Sequence, residues 1–381
     1  MTISVLLILS LMYGWIIKIR NRRFDKGLRH TARFFIPVIC IGNLTVGGTG
    51  KTPHTEYLVK LLKDKFQLAI LSRGYKRKTK GFVLADEYSS IELIGDEPLQ
   101  IKRKFPDVTV AVHEKRKRGI SRLLDLFPGT EVVLLDDAFQ HRQVLPSLAI
   151  LMMDYNRPIY KDRMLPLGNL REHADGIKRA DIIIVSKCPK DLSPDKQAEI
   201  VRQLKLQAHQ RVYFSSFAYS DIHACKGDKV LKAEELKNSA CPVLAFCGIG
   251  SPQPFEKYVR NIDENAKLLK FSDHHNYSKK EVDRMAQRFA SIKQQGGILL
   301  TTEKDYYHIV HNDYFSELLP YTYYVKVKVE FLAGEEKFNQ QIINHVRTYS
   351  AEQRVPKKFA QFFARRRHYT RIRLGRSGQS D

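Results

Sequence analysis

Val38-Ile39-Cys40-Ile41-Gly42-Asn43-Leu44-Thr45-Val46-Gly47-Gly48-Thr49-Gly50-Lys51-Thr52-Pro53 passes from a β-branched apolar run into a glycine-dense turn, and a helical pattern follows from His54. Strand, glycine turn, Lys-Thr and helix, in that order, make the phosphate-binding loop of P-loop nucleotide enzymes. Glycines let consecutive backbone N–H groups curl around phosphate oxygens, and the helix start adds its positive dipole end. Gly47, Gly48, Thr49, Gly50, Lys51 and Thr52 are therefore the candidate nucleotide-binding residues. Lys51 has the reach for the β- and γ-phosphates, and the Thr52 hydroxyl can bind Mg²⁺. The usual pattern has glycine five positions before Gly50. This chain has Thr45 there, with Gly47 and Gly48 instead. The competing reading is a plain glycine turn with a chance Gly-Lys-Thr, and the flanking strand and helix speak against it.

Downstream, apolar strands alternate with helical stretches. Gln67 to Leu71 is a buried strand ending in Ser72-Arg73-Gly74-Tyr75, and Ile94-Gly95-Asp96-Glu97-Pro98 opens a helix. Open α/β sheets place ligands beyond the carboxyl ends of their strands, so Arg73 is either a phosphate or substrate contact or a surface arginine. Two carboxylates at a helix start are partly explained by the helix dipole alone. Glu131 to Leu135 is a strand ending in Asp136-Asp137-Ala138-Phe139-Gln140-His141-Arg142. Acid at the end of an apolar strand is the companion element of a P-loop, where it holds Mg²⁺ or its waters. Further strands at Ala149–Met153 and Ala180–Val185 complete a mainly parallel, doubly wound sheet. Lys187, just past the latter, lies either along a nucleotide base or on the surface.

The chain has 381 residues, enough for two domains, with a formal net charge of +23. Such an excess calls for an anionic partner: nucleic acid, acidic membrane or a phosphorylated substrate. Five cysteines without C-x-x-C spacing argue against a disulfide framework or a zinc site and suit a reducing cytoplasm. Ile3 to Ile17 is almost wholly apolar, and Lys18, Arg20, Arg22 and Arg23 follow at once. A cleaved signal carries its charge before the apolar run, not after. The run is also shorter than the roughly 20 residues needed to span a bilayer. It suits a helix embedded in one leaflet with its basic flank on anionic headgroups; a buried core helix is the alternative.

The expected organisation is a membrane-associated helix over 1–23, a P-loop domain over 24–217, a polar linker over 218–239, a smaller second α/β domain over 240–350 and a basic tail over 351–381. In the second domain, Gly248-Ile249-Gly250 lacks the third glycine of a dinucleotide fingerprint and reads as a strand-to-helix turn. Asp273-His274-His275 and Glu303-Lys304-Asp305 follow two of its strands. The first has too few further ligands around it for zinc.

Together these motifs resemble the tetraacyldisaccharide 4'-kinases, which phosphorylate the lipid A precursor. The resemblance rests on Gly47-Gly48-Thr49-Gly50-Lys51-Thr52-Pro53, Ser72 to Tyr75, Gly95 to Pro98 and Asp136 to Arg142. It continues in Pro166-Leu167-Gly168-Asn169-Leu170-Arg171-Glu172, Asp273 to His275 and Thr302-Glu303-Lys304-Asp305. It covers most of residues 1–330, and within this family Thr45 is no departure. It implies ATP- and Mg²⁺-dependent transfer of the γ-phosphoryl group to the 4'-hydroxyl of a membrane-borne tetraacylated disaccharide 1-phosphate, on the cytoplasmic face of a bacterial inner membrane. Nucleic acid and an obligate protein partner are not expected. By the resemblance, Lys51 and Asp96 are catalytic, Asp96 as general base with His274 paired to it, His275 being the other candidate for that pairing. Thr52, Glu97, Asp136, Asp137 and Gln140 form the metal environment, and Arg171 and Glu172 join Arg73 at the lipid substrate. A membrane-associated P-loop ATPase or GTPase of another class would share Lys51, Thr52 and Asp136. It would not need Asp96 with His274, nor Arg171-Glu172. A nucleic-acid-processing NTPase suits the charge, but the core has no aromatic stacking module and the apolar N-terminus fits it poorly.

Overall fold

A computed structural model of the chain describes residues 3–273 and 275–352. It is a two-lobed α/β structure whose lobes share one continuous run of strands. Chain order explains the first lobe. After helix α1 (Ile3–Asp25) come β1 (Val38–Asn43), α2 (Lys51–Leu62), β2 (Leu68–Ser72), β3 (Val83–Leu84), α3 (Ile91–Ile94) and α4 (Asp96–Lys104). They are followed by β4 (Thr109–Val112), α5 (Arg116–Leu126), β5 (Val132–Asp136), β6 (Leu148–Asp154), β7 (Ile182–Ser186) and α6 (Pro194–Leu204). The strands order as β7-β6-β1-β5-β2-β4-β3, all parallel except the short antiparallel edge β3. Buried β-branched runs covered on both faces are what a parallel sheet requires. Alternation along β1 sends Val38 and Cys40 to one face and Ile39 and Ile41 to the other. The first face is covered by α5 and α6, the second by α2. This is the doubly wound P-loop fold expected.

The second lobe holds β9 (Val230–Leu231), α7 (Ala233–Asn238), β10 (Val243–Cys247), α8 (Gln253–Ile262), β11 (Lys267–Lys270), α9 (Lys279–Lys293), β12 (Ile298–Thr302), α10 (Glu303–Ile309) and β13 (Thr322–Phe331). The lobes are joined by β8 (Arg211–Ala224), a strand of 14 residues. Its first residues pair in parallel with β7, and from Ser215 onward it pairs antiparallel with β13. The segment 218–239, expected as a linker, thus holds the second half of β8, then β9 and α7. Its polar side chains fit a strand between lobes as well as they fit a loop, which is why composition misreads it. The final helix α11 (Glu335–Glu352) also departs from the expected boundary. Its Phe338, Ile342 and Val346 pack with Ile39, Ile41 and Leu58 in the first lobe. The basic tail from 353 lies outside the described residues.

Helix α1 runs on through the basic cluster to Asp25, longer than the apolar run alone. By length and composition it is able to cross a membrane. Its two sides differ in kind. Ile8, Leu11, Met12, Trp15 and Ile16 recur at helical spacing and are exposed. The opposite stripe docks on the first lobe. Ser10 Oγ donates to the Met164 carbonyl at 2.8 Å, and the Tyr13 hydroxyl to the Arg171 carbonyl at 3.0 Å. His173 Nε2 lies 3.0 Å from the Gly14 carbonyl. Helix α1, expected as a separate segment, is therefore seated beside Arg171 and Glu172.

Candidate active site

The parallel register sets the carboxyl ends of β1, β5 and β2 side by side, and a cleft of about 730 Å³ opens above them between the lobes. The loop after β1 forms its floor. Thr45 is buried and bridges antiparallel to Leu170, while the Val46 amide donates to the Asn169 carbonyl at 2.8 Å. The position where the common pattern has glycine is here a piece of extended backbone that ties the loop to the Arg171 segment. Gly50 caps α2 with φ +78, a left-handed conformation that costs an L side chain roughly 1–2 kcal/mol. Asn43 Nδ2 donates to Thr49 Oγ1 at 2.9 Å, and Ser186 Oγ to the Thr49 carbonyl at 2.8 Å. The loop is held from both sides before any ligand arrives.

Lys51 Nζ stands 3.6 Å from Asp137 Oδ1, and Arg171 Nη2 stands 3.2 Å from the same oxygen. Arg171 also donates to Asn43 Oδ1. Burial pushes the Asp137 carboxyl upward, but Lys51 and Arg171 outweigh it and bring the group down to about 2. Asp136 behaves oppositely: burial, then the neighbouring charges of Asp137 and Glu97, raise it to about 6. Thr55 Oγ1 donates to its Oδ1 at 3.0 Å. Asp136 is thus a buried carboxylate whose charge is under-compensated by protein groups, which is what a divalent cation would relieve. Among the described residues no three His, Cys, Asp or Glu form a ready cage. Mg²⁺ bound with nucleotide keeps waters and phosphate oxygens and needs only one or two carboxylates, so Asp136, with Asp137, Glu97 and Thr52 around the same cleft, fits it.

A folded-state value above the ordinary 3.8 means that this carboxyl favours the fold while protonated. That contribution is complete below the ordinary value and is lost as pH rises through about 6. Asp136→Asn removes the charge and keeps the acceptor for Thr55. It is expected to raise the Tm of nucleotide-free protein at pH 8 by several degrees and by less at pH 5, with roughly 3 kcal/mol as the ceiling. Equal shifts at the two pH values in thermal melts would show that the charge is already compensated.

Gln140 lines the cleft, its Nε2 donating to the Asn43 carbonyl at 2.6 Å. Arg73 lines the cleft and is exposed. Glu172 has no exposed surface and is clamped between Arg179 and Arg20, the latter at 3.5 Å. It is buried beneath the site, so any effect on a lipid passes through Arg20 of α1. Lys187 also lines the cleft, but its ammonium binds the Gly48 carbonyl, Asp154 Oδ2 at 2.7 Å and Ser251 Oγ at 2.9 Å. It fastens the phosphate loop to the second lobe.

Asp96 begins α4, only 11% exposed. Gly95 before it has φ +88, and a Cβ there would sit 2.7 Å from the Tyr75 carbonyl. Glycine lets the Ser72–Tyr75 loop cross directly behind Asp96. His274 lies outside the described residues. His275 stacks on Phe271 and puts Nε2 3.1 Å from Glu281. His308 of α10 places Nε2 3.2 Å from Asp96 Oδ2.

Sequence reasoning passed over His308, Thr55 and Arg116. Arg116 is 1% exposed, and the charges of Asp136 and Asp137 act on its guanidinium. In the sequence it is one of a run of basic residues, and nothing in that run marks which one turns inward.

A phosphate loop, a lysine at its helix start and strand-end carboxylates within one interlobe cleft define a P-loop nucleotide enzyme. The tetraacyldisaccharide-1-P 4'-kinase family model matches residues 2–347, and the chain belongs to that family. It is a lipid A 4'-kinase by that membership. The tetraacyldisaccharide 4'-kinase of Bacteroides thetaiotaomicron is 44% identical over 348 residues, covering 89% of this chain and 92% of that protein. The one from Flavobacterium johnsoniae is 44% identical, covering 90% and 97%. A crystal structure of LpxK from Aquifex aeolicus in complex with ATP is 32% identical, covers 91% of this chain and all of that one, and superposes with a TM-score of 0.68.

Proposed function

We propose that the cleft transfers the γ-phosphoryl group of ATP to the sugar 4'-hydroxyl at the surface of the cytoplasmic leaflet, with α1 embedded in that leaflet and not spanning it. The carrying observation is the juxtaposition of α1 with the cleft. The same helix that exposes Ile8, Leu11, Met12 and Trp15 has Tyr13 bonded to the Arg171 backbone and Arg20 bonded to the Gln140 carbonyl. Tyr13, Ile17 and Arg20 line the cleft itself. A glycolipid lifted slightly from the leaflet would bring its sugar to the catalytic groups while its acyl chains stayed in lipid. Docking of the Ser10–Gly14 stripe along the lobe favours a helix lying on the membrane over one crossing it.

In this reading the loop amides and Lys51 hold the β- and γ-phosphates. Thr52, Asp136, Asp137 and Glu97 would hold Mg²⁺, which would supply charge neutralisation at the phosphate oxygens. Asp96 accepts the proton of the 4'-hydroxyl as its oxygen bonds to the γ-phosphorus. The bond from that phosphorus to the β,γ-bridging oxygen breaks, and its electron pair leaves with ADP. Asp137 keeps Lys51 and Arg171 in place, and Arg171 and Arg73 face the acceptor.

Burying each large apolar side chain of α1 contributes about 1.5–3 kcal/mol. Replacing Ile8, Leu11, Met12 and Trp15 by serine is therefore expected to release the protein from vesicles containing phosphatidylglycerol in a flotation assay. Transfer from γ-labelled ATP to a detergent-dispersed tetraacyldisaccharide 1-phosphate should persist. Unchanged flotation would remove α1 from membrane attachment, and absence of labelled glycolipid with the unaltered protein would remove the transfer reaction.

A further inference from the structure

Helices α4 and α10 come from different lobes and run antiparallel, touching at both ends. At one end Lys104 Nζ binds Glu303 Oε2 at 2.6 Å and Glu56 Oε2 at 2.7 Å, and Gln100 Nε2 donates to Glu56 Oε1 at 2.7 Å. All three charged groups are largely buried. Beside Lys104, the Arg103 guanidinium lies over the Tyr307 ring, 5.9 Å from its centroid and within the roughly 6 Å reach of a cation–π contact. At the other end His308 Nε2 meets Asp96 Oδ2 at 3.2 Å, with the histidine side chain 6% exposed. The two groups are in contact, yet His308 Nε2 is buried and makes no hydrogen bond here. Catalytic contacts are commonly misaligned before substrates bind and tighten afterwards.

We propose that His308 is a positioning residue for Asp96: it holds Oδ2 and so fixes the plane in which the carboxylate meets the 4'-hydroxyl. This rests on Asp96 being the base, as set out above. A carboxylate in the first turn of a helix is drawn toward that helix's own N–H groups. An imidazole arriving from the other lobe pulls against that through a contact at Oδ2. The ion triad of Lys104, Glu56 and Glu303 anchors α10, so that His308 reaches Asp96 when the lobes are together. Glu56 belongs to α2, whose first residues are Lys51 and Thr52, so one buried cluster links the phosphate loop, the base and the second lobe.

The test uses the full-length protein with His308→Ala and His308→Gln, each alone and combined with Asp96→Asn. His308→Ala should lower kcat about 10- to 100-fold while KM for ATP stays within about twofold, the scale expected when a reacting group is misplaced by about 1 Å. His308→Gln retains an N–H donor and should recover a substantial part of the loss. In the Asp96→Asn background, His308→Ala should cost nothing further, as residues acting through one another behave in a double-mutant cycle. Normal kcat in His308→Ala, failure of His308→Gln to recover any of the loss, or an equal loss with and without Asp96, would overturn the inference while leaving Asp96 as base. Full turnover by Asp96→Asn alone would remove the base assignment, and this inference with it.

Discussion

Asp96→Asn is expected to lower kcat by about 10²–10⁴-fold and to leave ATP affinity within about twofold. The separation follows from where the groups lie. In the proposed reaction the nucleotide phosphates meet the loop after β1 and Lys51, which opens α2, whereas Asp96 begins α4, a different helix. Asparagine keeps the shape of the side chain and can still accept from His308, but it cannot take a proton from a sugar hydroxyl. Binding energy is untouched and the proton transfer is lost, so the effect belongs in kcat. Glu97, one residue on and also lining the cleft, provides the contrast. Glu97→Gln should raise the Mg²⁺ concentration needed for half-maximal rate, because it removes one of the carboxylate charges that line the cleft with Asp136 and would attract the cation. Steady-state rates with varied ATP, Mg²⁺ and glycolipid separate the two. A turnover number within twofold of the unaltered protein would remove Asp96 from the mechanism.

Much of this site is legible in the sequence because its parts are local. The loop, Asp136-Asp137 and Gly95-Asp96-Glu97 each sit at the end of a strand or the start of a helix, and a parallel sheet brings such ends to one edge. What the sequence hides is long-range. His308 follows two tyrosines in a short helix, and more than half the chain separates it from Asp96, so no spacing connects them. Lys104, Glu56 and Glu303 look like three surface charges until three helices bring them together. Glu172 is misread for a related reason. Its neighbour Arg171 faces the cleft, and nothing local says that the next residue turns inward to Arg179 and Arg20. The strand β8 is missed because its outer half is polar where it crosses between lobes.

Gly50→Val is expected to reduce ATP binding by about 100-fold or more while α1 still carries the protein to vesicles. The three glycines of the loop, alike in the sequence, are physically unequal. Gly50 has φ +78, and a Cβ there would come within 2.6 Å of Phe217 Cζ on β8. Its carbonyl also receives the His54 ring at 2.8 Å, and burial holds that ring neutral, near 4. A branched side chain must therefore turn the Phe217 ring aside and also strain the left-handed turn that places Lys51 and Thr52. Gly47 is also left-handed, at φ +89, but a Cβ would meet the flexible end of Arg157 at 3.2 Å, which can yield. At Gly48 a Cβ would meet nothing within 4 Å. Gly48→Ala should leave the fold intact, so any loss of ATP affinity there measures how closely phosphate approaches the backbone. The expected order of damage is Gly50→Val, then Gly47→Val, then Gly48→Ala, read by titration calorimetry with ATP and by thermal melts. Normal ATP affinity in Gly50→Val would mean that the left-handed turn is dispensable and that the loop binds phosphate in some other conformation.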